Sequence, residues 1–120
     1  MLSIKKELIS NVNDIIEYPV TSVFPKERIV PICVIQETSN TSLPSLYDTS
    51  DVIYRFSLYS TDKASLNTNF NNLDNYMIGL GFERTLFEES DTEVVHGITV
   101  SYKGIIQLRD DTIKIYKHEY

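Results

Sequence analysis

The chain has 120 residues, of which 42% are hydrophobic and 23% are charged, and its formal net charge is −6. This composition is typical of one small globular domain over residues 1–120, and it argues against wholesale disorder, a collagen-like repeat or a charged tail. No apolar run approaches the roughly 20 residues that span a bilayer, and residues 1–17 lack the apolar stretch of a signal peptide, so we expect a soluble intracellular protein. The excess of acidic residues argues against binding nucleic acid through phosphate contacts.

The first predicted element is an amphipathic helix near the start of the chain. Its apolar residues recur at helical spacing between charged and amide side chains: Ile4, Leu8, Val12, Ile15 and Ile16. Ser3 is the predicted N-cap. Tyr18 followed by Pro19 predicts the end of the helix, because proline disfavours helical geometry in the residue before it.

Strands and a long loop are predicted next. Residues 20–24 and 29–36 are rich in β-branched and apolar side chains, which favours two strands. Residues 37–50 break this pattern with serine, threonine, asparagine and proline, which are typical of turns, so we expect a long loop there. Alternating apolar and polar side chains then predict a strand at residues 51–60, antiparallel to the one before the loop.

A second amphipathic helix follows a cluster of capping residues at positions 60–62. Its apolar stripe recurs at spacings of four and three: Leu66, Phe70, Leu73, Met77 and Leu80. Gly81 is predicted to end this helix in the left-handed conformation.

The remaining elements are predicted to be strands. Residues 82–88 form the first, residues 89–92 an acidic turn, residues 94–106 a long strand and residues 112–116 a short one. We therefore predict the α+β class: a two-layer domain in which two amphipathic helices pack on one face of a mostly antiparallel sheet, in the order α-β-β-β-α-β-β-β.

Few residues in the sequence suggest catalysis or metal binding. Cys33, the single cysteine, lies in an apolar strand, and the two histidines, His96 and His118, lack metal-ligand spacing. A catalytic pair of Cys33 and His96 is a weak alternative to a buried thiol and a sheet histidine. Four acids near the predicted turn suggest a cation site less strongly than a solvated turn: Glu88, Glu89, Asp91 and Glu93. We expect no catalytic residue, metal ion or cofactor.

Uncharged polar and aromatic side chains are prominent. The polar face of the second helix is mostly asparagine, whose amide is less costly to bury against a partner than a charge: Asn67, Asn69, Asn71, Asn72, Asp74 and Asn75. The eight tyrosines add side chains that are common in interfaces. Together they favour a protein that assembles, although a solvated surface explains the asparagines equally well.

Three stretches have the order and spacing of a known family. Residues 54–60 read Tyr-Arg-Phe-Ser-Leu-Tyr-Ser, residues 77–84 read Met-Ile-Gly-Leu-Gly-Phe-Glu-Arg, and residues 98–106 read Ile-Thr-Val-Ser-Tyr-Lys-Gly-Ile-Ile. Together they resemble the tail-completion and tail-terminator proteins of long-tailed bacteriophages, in which a strand ending in Tyr-Ser leads into the second helix. In that family Leu-Gly-Phe-x-Arg ends the helix and a Tyr-x-Gly strand follows.

The resemblance implies a non-enzymatic virion protein of the tail or neck, made in the cytoplasm of a bacterial host. Such proteins form a homo-oligomeric ring, commonly a hexamer, that caps the tail tube and docks it to the head-side connector. DNA would pass through the ring lumen without sequence-specific binding, and no membrane would take part. Acids facing the lumen would repel DNA. The loop would be the assembly segment, with these residues: Thr38, Ser39, Asn40, Thr41, Ser42, Leu43, Ser45, Leu46, Tyr47 and Asp48.

Two alternatives stay open from the sequence. The same features fit a head-side neck adaptor or another minor structural protein of a phage. They also fit a small acidic inhibitor or immunity-type protein that binds a basic partner, such as a nuclease, through the acids at residues 88–93. Monomeric behaviour would favour the inhibitor.

Overall fold

The structure is a computed structural model that describes residues 2–27, 29–44 and 47–116. These residues form two helices, α1 (Lys5–Ile15) and α2 (Lys63–Leu80), and six strands: β1 (Val20–Thr21), β2 (Ile32–Ser42), β3 (Asp48–Ser60), β4 (Glu83–Asp91), β5 (His96–Arg109) and β6 (Thr112–Tyr116). The predicted α+β class and element order are confirmed. Neither of these two helices is long and apolar enough to cross a membrane.

The strands form a single sheet with β3 and β5 at its centre. The strand order is β1-β2-β3-β5-β4, and β6 pairs with β5 on the same edge as β4, further along β5. β1 runs parallel to β2, whereas the other pairings in the described chain are antiparallel. Because β3 and β5 have 13 and 14 residues, the sheet is longer than the helices, and the domain measures 51 Å by 27 Å by 21 Å.

Both helices pack on one side of the sheet, which we call the helix face. β3 and β5 present alternate side chains to it, and these are buried: Val52, Tyr54, Phe56, Leu58, Ile98, Val100, Tyr102 and Ile106. The predicted helical stripes face them. Leu8 and Val12 of α1 are buried, as are the first four members of the α2 stripe, and Leu80 is half-buried against the same core. We call the opposite side of the sheet the outer face.

The ends of α2 follow the sequence signals. The Asp62 carboxylate accepts hydrogen bonds from two backbone amides of the first turn, at 3.0 Å and 3.2 Å. At the other end Gly81 has a φ of 111°, and the Phe82 N–H donates to the Met77 carbonyl at 3.1 Å. α1 begins at Lys5 with Ile4 in the cap position, so the Ser3 N-cap prediction is wrong, although the Ser3 hydroxyl accepts a hydrogen bond from the Lys5 amide at 3.3 Å.

Two buried tyrosines link the helices to the sheet. The Tyr54 hydroxyl accepts a hydrogen bond from the Ile4 amide at 3.1 Å, and the Tyr102 hydroxyl donates to the Asp74 carboxylate of α2 at 2.8 Å. Burial raises the pKa of Tyr54 to about 12 and raises that of Tyr102 as well, so both hydroxyls stay protonated. Tyr18 is also buried. The expectation that the tyrosines as a group are interface residues is therefore wrong for these three.

The largest correction to the predicted elements concerns residues 37–50. The expected long loop is instead the meeting end of β2 and β3, in which Asn40 lies opposite Val52 and Ser42 lies opposite Ser50, after a β-bulge between Glu37 and Ser39. Serine and threonine occupy this hairpin because few of its side chains face the core. The connection is therefore short, at residues 43–47.

Other strand boundaries also differ from the prediction. β1 covers two residues instead of 20–24, and β2 begins at Ile32 instead of residue 29. β4 continues through Asp91, where an acidic turn was expected, and β5 runs from His96 to Arg109. The turn between β4 and β5 is shifted to residues 92–95, where the Thr92 amide donates to the Val95 carbonyl at 2.9 Å.

Candidate assembly surfaces

The sheet continues past the helices at one end. The first described residue, Leu2, contacts the sheet through the side chains of Asn40 and Ser50, and the strands run on beyond this level. We call this extension the distal tip and define it as residues 41–44, 47–49 and 107–113. It contains the described residues that connect β2 to β3 and the turn between β5 and β6.

Three side-chain or backbone contacts lie within the distal tip. The Leu43 amide donates to the Thr49 carbonyl at 3.0 Å, and the Gln107 side-chain amide donates to the Thr49 hydroxyl at 3.3 Å. The Arg109 guanidinium lies 4.9 Å from the centre of the Tyr47 ring, which is a cation–π contact. The cation–π contact therefore joins the end of β5 to Tyr47, which directly precedes β3.

The distal tip exposes large apolar side chains. Tyr47 and Leu108 are each 37% exposed, and Ile113 is 36% exposed. Leu108 and Ile113 lie opposite each other in β5 and β6, on the helix face, because they share the parity of the buried Ile106. An ordered surface with exposed apolar side chains is typical of a contact with another protein.

The residues predicted as an assembly loop are divided by the structure. Five of them belong to β2: Thr38, Ser39, Asn40, Thr41 and Ser42. Asp48 begins β3, and Leu43 and Tyr47 lie in the short connection. Ser45 and Leu46 lie outside the described residues. The Asn40 amide donates to the Leu2 carbonyl at 2.8 Å, so it supports the fold. The candidate surface is accordingly the distal tip and not a long loop.

The four predicted acids lie along one edge of the sheet. Glu88, Glu89 and Asp91 belong to the edge strand β4, Glu93 follows in the turn, and all four are exposed. Because side chains alternate along a strand, Glu88 lies on the outer face and Glu89 on the helix face. Within the described chain neither has an ion-pair partner. Charges on an edge strand also oppose pairing with another sheet.

Asp91 instead contacts a lysine and a histidine side chain. Its carboxylate lies 2.8 Å from His96 Nδ1 and 3.2 Å from Lys63 Nζ. These hydrogen bonds, the one with His96 first, hold the pKa of Asp91 below its usual value. The contacts join the β4–β5 hairpin to the start of α2. In the described ranges no group of three or more His, Cys, Asp or Glu side chains could hold a metal ion.

Cys33 and His96 do not form a pair. Cys33 lies opposite Leu58, which lies opposite Ile98, so His96 is two strands across and two residues along, about 12 Å away between Cα atoms. Cys33 is fully buried, and this burial raises the pKa of its thiol to about 12. A thiol in this environment is not a nucleophile at neutral pH.

We expect Cys33 to react slowly with a thiol reagent in the native protein. Both its burial and its raised pKa remove the reactive thiolate. The measurement is the labelling rate with an aromatic disulfide reagent at pH 7.5, with the same protein in concentrated urea as the control. Native labelling as fast as in urea would contradict the assignment of this thiol to the core.

A cleft at the opposite end of the molecule was not predicted. Residues 24–27, 29 and 30, from the segment between β1 and β2, face the outer side of the sheet across a cavity of about 350 Å³. We call this cavity the end cleft; its apolar lining consists of Phe24, Pro25, Ile29, Val30, Ile32, Tyr59 and Val95. Four apolar side chains at or beside it are strongly exposed: Val23, Phe24, Ile29 and Val94, at 70%, 46%, 52% and 64%.

Gly97 shapes the floor of the end cleft. A Cβ at this position would lie 2.7 Å from the Ser90 hydroxyl oxygen and 3.0 Å from the Tyr59 ring. The absence of a side chain lets the Tyr59 ring lie across β5 and line the cleft. The only signal in the sequence was a glycine within a strand, which indicates close approach of another group.

The asparagine-rich side of α2 has two kinds of member. Asn69 is buried, accepts a hydrogen bond from the Glu17 amide at 2.7 Å and donates to the Ser65 carbonyl at 2.8 Å, so it fixes the chain that follows α1. Asp74 is half-buried and pairs with Arg84 at 3.5 Å. The other members are exposed: Asn67, Asn71, Asn72 and Asn75.

Comparison of the chain with models of known protein families, with curated proteins and with solved structures gave no match.

Proposed function

We propose that the chain is a ring-forming structural protein at the head–tail junction of a long-tailed bacteriophage, where it completes the tail tube and docks it to the connector. The resemblance of residues 54–60, 77–84 and 98–106 to tail-completion and tail-terminator proteins supplies this setting. In it, the protein is made in the host cytoplasm and resides in the virion. Its partners are further copies of itself, the tail tube protein and the connector protein.

The three motif stretches meet at one point of the core. The Tyr54 and Phe82 rings pack edge to face with centroids 6.0 Å apart, and a Cβ at Gly104 would lie 2.8 Å from the Phe82 ring. One residue from each stretch therefore forms a single packing unit. This interdependence supports reading the three stretches as one pattern, because each alone is ordinary strand or helix-end sequence.

The observation that carries the proposal is the distal tip. It holds a cation–π contact between Arg109 and Tyr47 and the partly exposed side chains of Tyr47, Leu108 and Ile113, of which Ile113 also borders a small cavity beside α1 and α2. Large apolar side chains in such a position add little to the core of the monomer. They are favourable when a second protein covers them, as in a permanent assembly.

The acids of β4 have a role under the proposal. Glu88 and Glu89 are exposed and unpaired within the described residues, and they lie on an edge of the sheet. Carboxylates lining a channel would keep the DNA phosphates from adhering as the genome passes. This assigns a purpose to part of the net charge of −6.

The proposal is tested by removing the gene from the phage that encodes it. Filled heads and unattached tails should accumulate, and purified protein added to the extract should restore infectious particles. A Leu108→Thr and Ile113→Thr double variant, which places β-branched side chains at both strand positions, should fail to restore them while matching the wild-type circular dichroism spectrum. Normal yields of infectious particles without the gene would contradict the proposal.

One observation favours a second function, the acidic inhibitor. Glu88 and Glu89 present negative charge on an edge strand with no cation beside them in the described chain, which suits a basic partner. That protein would be a monomer whose binding to a basic nuclease falls on Glu88→Gln and Glu89→Gln substitution. A ring-forming protein would lose neither assembly nor head–tail joining through these two changes, because they lie away from the distal tip.

A further inference from the structure

The exposed apolar side chains of the described residues include two clusters at opposite ends of the sheet. One surrounds the end cleft, with Phe24 and Ile29 at its rim, and the other is the distal tip, with Leu108 and Ile113. Tyr59 lines the cleft and Asp48 begins β3 at the tip, so the two clusters are eleven residues, or about 36 Å, apart along one strand. They cannot cover each other within a single chain.

We infer that the distal tip of one copy docks into the end cleft of the next copy. This inference rests on the proposed ring, and it names the two surfaces that the ring would join. Each surface occurs once per chain and differs from the other, so the contact is heterologous. Contacts of this kind repeat from copy to copy and generate either a closed ring or an open filament.

The faces on which the two surfaces lie suit this arrangement. The end cleft opens on the outer face. Three of its lining residues lie on that face, because Ile32 is paired with Tyr59, and both Tyr59 and Ser90 are paired with Gly97. Leu108 and Ile113 lie on the helix face. A head-to-tail overlap of two copies therefore brings the helix face of one tip against the outer face of the next copy, and a rotation between successive copies would close the ring.

The chemistry of the two surfaces is complementary. Leucine and isoleucine side chains from the tip match the aliphatic and aromatic lining of the cavity of about 350 Å³. Lys26 lines the cleft, is exposed and has no ion-pair partner in the described part of the chain, and the tip carries Asp110 and Asp111 in its turn. Glu27, which also lines the cleft, would repel the two tip acids. The Arg109 guanidinium of the tip would attract it.

The test uses two variants of the full chain, one for each surface. The cleft variant combines Phe24→Ser with Ile29→Ser, and the tip variant combines Leu108→Thr with Ile113→Thr. Ile78→Ser is the matched control, since Ile78 is 46% exposed on α2 and belongs to neither surface. Sedimentation velocity measures the mass of each protein alone and of the two variants mixed in equal amounts. Val94→Lys, at a position that is 64% exposed, replaces the cleft variant if that variant fails to fold.

The inference predicts a specific pattern of masses. Each variant alone should be monomeric, with the contact weakened about tenfold or more, while the control assembles as the wild type does. The mixture should form a dimer of unlike chains, because the intact tip of one variant can still enter the intact cleft of the other.

Two results would overturn the inference, and they differ in what else they affect. If the wild-type protein and either variant all form rings, the ring contact does not use the distal tip and the end cleft. The proposed function would be unaffected by that result. A monomeric wild-type protein would contradict both the docking inference and the proposed function. A wild-type filament whose variants behave as predicted would support the docking and count against a closed ring.

Discussion

Leu73→Ala is expected to lower the free energy of unfolding by about 2–5 kcal/mol, the usual cost of truncating a fully buried leucine. Leu73 has no exposed surface and lies in the middle of the α2 stripe that packs on the sheet. Its removal would leave a cavity between helix and sheet. Because the asparagine-rich α2 has little intrinsic stability, packing along this stripe is what holds it in place.

The control for this prediction is the neighbouring residue on the same helix. Asn72 is exposed, and Asn72→Ala should leave stability unchanged or raise it slightly, since alanine is the better helix former. Urea denaturation followed by circular dichroism gives both values. Equal midpoints for the two variants would mean that the helix packs in a different rotation from the one described.

Gly81→Val is expected to destabilise the protein by about 2–4 kcal/mol, whereas Gly79→Ala should stabilise it by about 0.5–1 kcal/mol. Gly81 has a φ of 111°, which a β-branched residue adopts only with strain, and a Cβ there would lie 3.2 Å from the Ile115 carbonyl oxygen. A Cβ at Gly79 would meet nothing within 4 Å, and that residue lies inside α2. Two glycines in one helix end should thus respond with opposite sign.

Thermal melts of these two variants provide the measurement. The melting temperature should fall for Gly81→Val and rise for Gly79→Ala relative to the wild type. A fall of similar size for both would indicate that α2 ends before Gly79, and that Gly81 does not terminate it.

The elements that the sequence predicted well are those in which one face is buried by the core. The stripe of α2 from Leu66 to Met77, the Asp62 cap and the Gly81 stop each reflect a local rule of helix formation, and all three are present. The alternation at residues 51–60 likewise reports burial of one side of β3 under the helices. Periodicity reveals an element wherever the core covers one of its sides.

The hairpin at residues 37–50 escaped prediction for the same reason. In the second half of β2, residues such as Thr38 and Thr41 are exposed, so no apolar alternation marks the strand. Hydroxyl side chains fit both a turn and a solvated strand. Pairing with β3 decided between them, and pairing depends on residues elsewhere in the chain.

The candidate surfaces were only partly accessible from the sequence. Tyr47 was singled out from the sequence, whereas Leu108 and Ile113 have the pattern of ordinary strand residues, and their partial exposure depends on how the helices lie on the sheet. The end cleft combines the segment before β2, the end of β3 and the β4–β5 turn, which are brought together only by the fold. Surfaces built from distant segments leave no local pattern.

The mass of the wild-type protein in solution would show whether copies of the chain form a ring. Analytical ultracentrifugation across a range of concentrations, with negative-stain electron microscopy of the same samples, would determine whether copies assemble and in what form. We expect a closed ring of several copies around a central channel. A protein that stays monomeric at the highest concentration, and remains so when tail tubes are added, would contradict it.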